Sequence, residues 1–533
     1  MYTDVMTEIA RFKAGRIHVA RAGLATQARL CVDMLQQGRG MAWVVKNRDE
    51  LLTARALMRL FSPELSSSDF LPDACDKGGW TSLPPFSPRS ANREGWTERL
   101  SALYALRSGQ AKGLILTADN LLPKLVPLDF FENREVTLIR GEDVSLDMIL
   151  EQAVEWGYER VSMVSNPGEI ARRGDILDIM PPGYDKPIRL DFFGDLIEEI
   201  RLFDPVSQRS KANLSEVRVL PVSPIRQSPA DQAKMQARWK SLFQKNMLTE
   251  NERFGLTRLQ EQGDFRLLPG CCYDTATNLE AWLPADTVWV LPGLSDFRDM
   301  LSSAERLWTE AFEAQDVEGR PQPQRLAMRE ASDVESACER FACVHAEPLV
   351  MGIAKGIHDL PERSLSSFED LFPSTAEQDR PWQTLVQALK RWQNDKRQTI
   401  LCFASEKSRT KFLNLASQDG LSPLLRYSGE QHGLFALVAP FRAGAELIWD
   451  QSLILGEDLL QPHAEKSRRV PTGAFKGLDR YDELKPGDLL VHRDYGIARF
   501  GGLLRMETGS TANDFLLLHY SGDDRLYVPV DRL

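Results

Sequence analysis

The chain has 533 residues, with 76 acidic against 65 basic side chains and a formal charge of −11. That length calls for about three to five domains, and the acidic balance argues against broad nonspecific binding to DNA. No apolar run reaches the roughly 18–20 residues that cross a bilayer, the N-terminal MYTDVMTEIARF lacks the basic-then-apolar pattern of a secretory signal, and seven cysteines, an odd number, do not make a disulfide framework. A reducing, cytoplasmic setting with no membrane partner fits.

Residues 1–128 read as α/β. Strands are expected at Arg16–Val19, Met41–Val45 and Leu114–Thr117. Helices are expected at Leu24–Gln37, Asp49–Phe61 and Thr97–Arg107, the last ended by Gly109. Strands alternating with helices predict a parallel sheet with helices packed on it. The connection from Asp69 to Gly95 is rich in Pro, Gly and Ser and is expected to be an extended surface loop.

The first strand-to-helix turn, Ala22-Gly23-Leu24-Ala25-Thr26-Gln27-Ala28, is where nucleotide chemistry would sit. A phosphate loop needs glycines for close backbone approach, a lysine for the phosphates and Ser or Thr for magnesium. This turn has one glycine and no lysine, and the dipeptide Gly-Lys occurs nowhere in the chain. No Asp-Glu-x-His segment follows; Asp49-Glu50-Leu51-Leu52 and Asp482-Glu483-Leu484-Lys485 come nearest. No catalytic residue, cofactor or metal site is assigned.

The clearest patterning lies between Gly168 and Asp204, GEIARRGDILDIMPPGYDKPIRLDFFGDLIEEIRLFD. It reads as three strands, Asp175–Met180, Pro187–Phe193 and Ile197–Phe203. Pro181-Pro182-Gly183 ends the first, and Gly194-Asp195 signals a hairpin between the others. A two-residue loop would set Leu190 opposite Glu199. A three-residue loop, Gly194 to Leu196, puts Ile188, Leu190, Phe192, Ile200 and Leu202 on one face and Arg189, Asp191, Phe193, Glu199 and Arg201 on the other. The second register sorts apolar from polar and is preferred. It leaves Phe193 on the wet face beside Arg189, the composition of an interface hot spot. Taken without a family argument, a Phe tucked under a neighbouring loop is the commoner arrangement.

Further on, Ser228–Lys245 reads as a long amphipathic helix, Thr287–Pro292 as a buried strand, Ser302–Glu313 as a helix and Glu318–Gln324 as a polar loop. Cys338, Cys343 and His345 lack the spacing and the fourth ligand of a structural zinc site; with Cys271 and Cys272 they read as small buried residues. Residues 366–460 form a small α/β domain. Its first helix opens at Asp379-Arg380-Pro381 and carries Leu385, Leu389 and Trp392 on a core face. The strand Thr399–Ala404, the helix Glu406–Ala416 capped by Ser405, and the strands Leu434–Ala439 and Leu453–Leu455 follow. Residues 461–479, with Lys466, Arg468 and Arg469, read as a linker. From Leu484 on, five short strands are expected: Asp488–His492, Gly496–Phe500, Gly502–Met506, Asp514–Tyr520 and Arg525–Val530. Ser521–Asp524 is a turn, and the set suggests an SH3-like or Tudor-like barrel. Alternation lets either Leu503 or the Leu504/Met506 pair face inward, not all three.

The strings ARRGDILDIMP and IRLDFFGDLIEEIRLFDPVSQR resemble the second domain of UvrB, and more closely the matching domain of the bacterial transcription-repair coupling factor family. KPGDLLVHRDYGIARFGG with DFLLLHYSGDDRLYVPVDRL resembles the RNA polymerase-interacting domain that this family shares with CarD. The order is specific, since UvrB lacks the barrel and CarD lacks the first module. The resemblance covers nearly the whole chain and implies a multidomain α/β fold. A UvrB-like, degenerate RecA-like α/β domain in two segments (1–128 and 220–365) is interrupted by a β-rich UvrA-binding domain (129–219). The small α/β domain (366–460), the linker and a C-terminal SH3/Tudor-like β-barrel (480–533) follow.

The resemblance further implies that Arg173, Arg189 and Phe193 contact UvrA, on a face that a C-terminal domain masks in the whole family protein. It implies that an edge strand of the barrel pairs with the polymerase β subunit, with Leu504, Arg505 and Met506 at that surface. UvrB keeps a phosphate loop in its first domain and the coupling factors do not, so this module is expected to be a scaffold rather than an ATPase. Family members continue into two motor domains that use ATP and magnesium and engage double-stranded DNA. The sequence stops at Leu533 and is expected to be the N-terminal portion, without the motor. The implied function is transcription-coupled nucleotide excision repair: binding of stalled RNA polymerase, recruitment of UvrA and, in the whole protein, ATP-driven release of the polymerase. The rival readings are a UvrB-like excision-repair ATPase and a CarD-like transcription regulator.

Overall fold

The computed structural model describes residues 2–11, 14–61, 79–205, 207–347, 357–374, 379–427, 432–460, 488–492, 496–508, 511–519 and 525–529; in the last four stretches side chains are described only at 488–490, 498–502 and 516–519. The chain forms two compact units, Met1–Pro462 and His463–Leu533.

In the first unit seven strands run parallel, in the order Ile357–Asp359, Gly15–Ala20, Ala342–Glu347, Val288–Pro292, Met41–Val45, Gly113–Thr117 and Trp80–Leu83. Met41–Val45, Gly113–Thr117 and Val288–Pro292 are buried at every position, as a sheet covered on both faces requires. Alternate residues of these strands feed two cores. Ala42, Val44, Leu114, Leu116, Trp289 and Leu291 pack with the helices Arg93–Arg107 and Leu294–Val317. Trp43, Val45, Ile115, Val288 and Val290 pack with Leu24–Gln36 and Arg48–Phe61 on the other side.

Two expectations change here. The helix predicted at Ser302–Glu313 runs over Leu294–Val317. The Asp69–Gly95 connection is not all surface loop: Trp80–Leu83 is an edge strand paired with Gly113–Thr117, and Trp80, Leu83 and Phe86 are buried. Its edge position tolerates the prolines that follow it, because no further strand needs their missing N–H. Cys271, Cys272, Cys338 and Cys343 all lie in the first core, and the Cys343 thiol donates to the Cys338 carbonyl at 3.2 Å.

A second sheet has the order Glu362–Leu365, Gly444–Leu447, Ser452–Gly456, Gln398–Phe403 and Leu434–Val438. One face carries the helices Pro381–Asn394 and Glu406–Gln418, with Leu385, Leu389 and Trp392 buried against it. Its other face, through Ile400, Cys402, Phe435, Leu447 and Ile454, enters the core beside the helix Leu24–Gln36. The small α/β domain therefore shares a core with the parallel sheet.

Phe130 and Phe131 still belong to the first core. The chain leaves it through a two-stranded antiparallel neck, Val136–Ile139 with Glu216–Val219. Beyond the neck lies a sheet of six strands in the order Ser210–Leu214, Leu196–Phe203, Ile188–Phe193, Ile176–Ile179, Glu169–Arg173 and Glu159–Arg160. The helix Leu146–Glu155 covers one face, and Leu177, Ile179, Ile188, Leu190, Phe192 and Ile200 are buried beneath it.

The second unit is an antiparallel meander of four strands, Leu489–His492, Gly496–Thr508, Thr511–His519 and Arg525–Pro529. The strands expected at Gly496–Phe500 and Gly502–Met506 are one. Its ladder slips by a residue between Phe500 and Gly502, where Gly502 takes a φ of +128°, so a bulge replaces the expected break. Ala498, Phe500, Leu516 and Leu518 form the core of this unit. Leu504, Arg505 and Met506 pair with Phe515, Asp514 and Asn513; their side chains lie outside the described residues, as do the linker 461–479 and the turn Ser521–Asp524. Leu489–His492 reaches only Gly496–Arg499. The far half of the long strand is thus paired on one side only among the described residues. Among those residues, too, no helix is long and apolar enough to cross a membrane.

Candidate functional site

The inserted sheet owes its shape to a repeated tip. Arg173-Gly174-Asp175-Ile176 and Phe193-Gly194-Asp195-Leu196 close two hairpins in the same way. Arg173 pairs with Ile176 and Phe193 with Leu196, and Gly174 and Gly194 sit at φ +62° and +64°. A positive φ at the first central residue is what a two-residue II′ turn demands, and glycine takes it without a Cβ clash. The strand Glu169–Arg173, not expected from the sequence, is the arm that the first tip folds back. Its signal was the Gly174-Asp175 pair, a copy of Gly194-Asp195. Both arms run antiparallel to Ile176–Ile179 between them, so both tips lie at the same end of the sheet.

The register expectation is corrected at the tip and holds below it. The loop has two residues, so Phe193 faces Leu196 and Phe192 faces Ile197. A bulge at Glu198 then adds one residue, and the pairs from Asp191–Glu199 through Leu190–Ile200 to Ile188–Leu202 are those of the preferred register. The physical reason is that the bulge lets Ile197 and Ile200 both reach the core, where each is no more than 1% exposed.

Arg173, Asp178, Arg189 and Phe193 share the face opposite that core. Phe193 is 73% exposed. Arg189 is not free in the same way, and here the expectation of an open arginine is corrected. Its Nε and Nη2 donate to the Asp178 carboxylate at 2.7 and 2.8 Å, and Nη2 also donates to Gln208 Oε1 at 3.0 Å. Its guanidinium lies 4.5 Å from the centre of the buried Phe203 ring. Asp178 holds the Arg189 pKa above its ordinary value. Only Nη1 is left without a partner among the described residues. Arg173 Nη2 reaches the same Asp178 at 3.5 Å, while half of its side chain stays exposed. Asp178 itself is 1% exposed and so lies beneath both cations. Sequence reasoning missed it, because an acid on the wet face of a strand carries no signal of its partners. Beside this group Arg201 pairs with Asp191 and, at 3.4 Å, with Glu199. The result is an exposed aromatic and a half-free cation at the two tips, with a fixed cation further down the same face of the sheet. That set suits a protein partner with an apolar recess flanked by carboxylates.

The turn at Ala22–Ala28 carries a different arrangement. The helix Leu24–Gln36 starts there with Gly23 as its cap residue and no side-chain cap from within the turn. Glu362 supplies the missing acceptor: the Ala25 and Thr26 N–H groups donate to its carboxylate oxygens at 3.2 and 2.7 Å. Burial pushes the Glu362 pKa up, and the bonds from Thr26 and Ala25 pull it back only in part. A Cβ on Gly23 would collide with this carboxylate. A nucleotide phosphate needs these same amides, so the turn does not fit one.

Comparison with known proteins matches the inserted sheet and the C-terminal segment to family models. Residues 136–224 match the UvrB interaction domain, and residues 484–533 match the CarD-like/TRCF RID domain. The chain is 28% identical over 499 residues to the transcription-repair-coupling factor of Myxococcus xanthus, covering 84% of this chain and 39% of the relative. It is 27% identical over 486 residues to that of Escherichia coli strain K12, at 85% and 40%, and 27% identical over 513 residues to that of Haemophilus influenzae, at 90% and 42%. The chain thus spans about two fifths of the length of the curated relatives it matches.

Proposed function

We propose that this chain, as the N-terminal portion of a transcription-repair coupling factor, carries the two recruiting surfaces of transcription-coupled nucleotide excision repair. One surface takes UvrA, with Phe193 as the anchor, Arg189 as a fixed cation offering Nη1, and Arg173 as the second cation. What supports it is that these three side chains share one face of the sheet, with Arg173 and Arg189 both on Asp178, within the segment that matches the UvrB interaction domain. The other surface takes the RNA polymerase β subunit by strand addition along the half-paired strand Gly496–Thr508, around Leu504, Arg505 and Met506. Strand addition requires an open ladder edge, and this stretch has one among the described residues.

The parallel sheet acts in this reading as a degenerate RecA-like scaffold, and the meander as the SH3/Tudor-like barrel. ATP, magnesium and double-stranded DNA belong to the motor domains of the family, and no catalytic step is assigned to these residues. The cytoplasm is the setting that the partners require.

The test is UvrA binding by biolayer interferometry, with wild type against Arg189→Ala and Phe193→Ala. A true hot spot costs about 2 kcal/mol or more, roughly thirtyfold in affinity, and each variant is expected to lose that much. A folded wild type that does not bind UvrA would overturn the first surface and leave the polymerase contact, which binding to core polymerase tests separately.

A further inference from the structure

We infer that the Glu362 carboxylate is an internal stand-in for a nucleotide phosphate, and that through it the small α/β domain seals the strand-to-helix turn permanently. The first ground is geometry. The amides at the start of a helix form an anion site because their N–H groups have no partner within the helix and the helix dipole adds positive potential. Here both carboxylate oxygens of Glu362 are spent on the amides of Ala25 and Thr26. Gly23 makes room for that carboxylate, as a glycine in a phosphate loop makes room for phosphate.

The second ground is how Glu362 is delivered. Ile357–Asp359 is the edge strand beside Gly15–Ala20. The Leu360 and Glu362 N–H groups then donate to the Ala20 and Arg21 carbonyls, each at 3.0 Å. Arg21 pairs with Asp359, with Nε at 2.8 Å from Oδ1. The segment is laid along the turn bond by bond before it enters the second sheet at Glu362–Leu365.

The third ground is what surrounds it. Trp449 Nε1 donates to Thr26 Oγ1 at 3.0 Å, and its ring stacks on Tyr2 at 4.3 Å and 9°. Arg29, one turn further along the same helix, reaches the Tyr427 hydroxyl at 3.4 Å. Ala25 and Ala28 share a core with Ile400, Phe435 and Leu447. A phosphate approaching the two amides would find both already bonded to Glu362 and would have to pry the packed layers apart. Loss of the loop lysine is therefore one of two independent blocks, and the second is built from the domain that follows. This inference does not depend on the UvrA or polymerase reading.

The experiment uses the whole chain. Equilibrium dialysis of wild type against magnesium ATP is expected to show no binding up to millimolar nucleotide; micromolar binding would overturn the inference. Thermal melting of Glu362→Ala is then compared in sodium phosphate and in sodium chloride of equal ionic strength. The variant is expected to melt below wild type in chloride and to recover some of the loss in phosphate, while wild type does not respond. A variant that melts like wild type in chloride, or a wild type that phosphate stabilises equally, would sink the idea. Glu362→Asp, which keeps the carboxyl group but is one methylene short of both amides, covers the case in which the alanine variant does not fold. It is expected to melt below wild type, and an unchanged melting point counts against the inference.

Discussion

The wet face of the inserted sheet and the first turn of the parallel sheet use the same device to opposite ends. Each sets one carboxylate against positive groups, arginine side chains on the sheet and helix-start amides at the turn. On the inserted sheet Asp178 lies underneath: it is buried, it grips Arg189 by two bonds, and it leaves Arg173 and Phe193 facing outward. At the turn Glu362 lies on top, over the amides that a ligand would need. A carboxylate beneath its cations makes a platform, whereas one above its donors makes a plug. The acceptor group is the same in both places, and the side from which it arrives decides whether the site presents or hides.

The largest expected effect tests the platform. Asp178→Ala leaves Arg189 half-buried with its main partner gone, and breaking such a pair should cost about 3 kcal/mol of stability in urea denaturation. An unchanged midpoint would mean that Asp178 is not the foundation of the face. Phe193→Ala should behave the opposite way. It loses about 2 kcal/mol of UvrA binding, yet its unfolding free energy stays within about 0.5 kcal/mol of wild type, because the ring touches solvent rather than core. If both variants lose stability alike, the contrast between anchor and foundation fails.

Arg173→Ala should be milder, about 1 kcal/mol in affinity, with a weaker dependence of the association rate on salt, as befits a rim charge. Stopped-flow association at two ionic strengths reads it. The smallest effect sharpens the plug. Folding holds the Glu362 pKa above its ordinary value of 4.5. Its contribution to stability is therefore fully present below that value and is lost as pH rises through the raised one. The stability gap between wild type and Glu362→Ala should be widest in acid and narrow toward neutrality. A gap that widens with pH would mean that the ionised carboxylate is the favoured form.

The strands Ile188–Phe193 and Leu196–Phe203, their apolar face, the placement of Phe193 on the opposite face and the glycine tip at Gly194 were legible in the sequence; that Phe193 stays uncovered there was not. Each legible feature follows from backbone geometry between adjacent residues: side chains alternate, and a tight turn needs a positive φ. The motifs that resemble the coupling factor family are legible for the same reason, being contiguous. The strand Trp80–Leu83 was not, because its apolar residues are few among prolines and serines, and Gly113–Thr117 beside it makes it a strand. The grip of Asp178 on Arg189 was not legible either. Alternation puts the two on one face but does not say how far each is buried, and burial turns a solvated pair into a fixed one. Least legible was Glu362, which lies 336 residues from Thr26. Only the packing of two sheets on one core brings its carboxylate to the turn, because hydrogen bonds and charges act through distance in space, while spacing along the chain encodes only what neighbouring backbone can do.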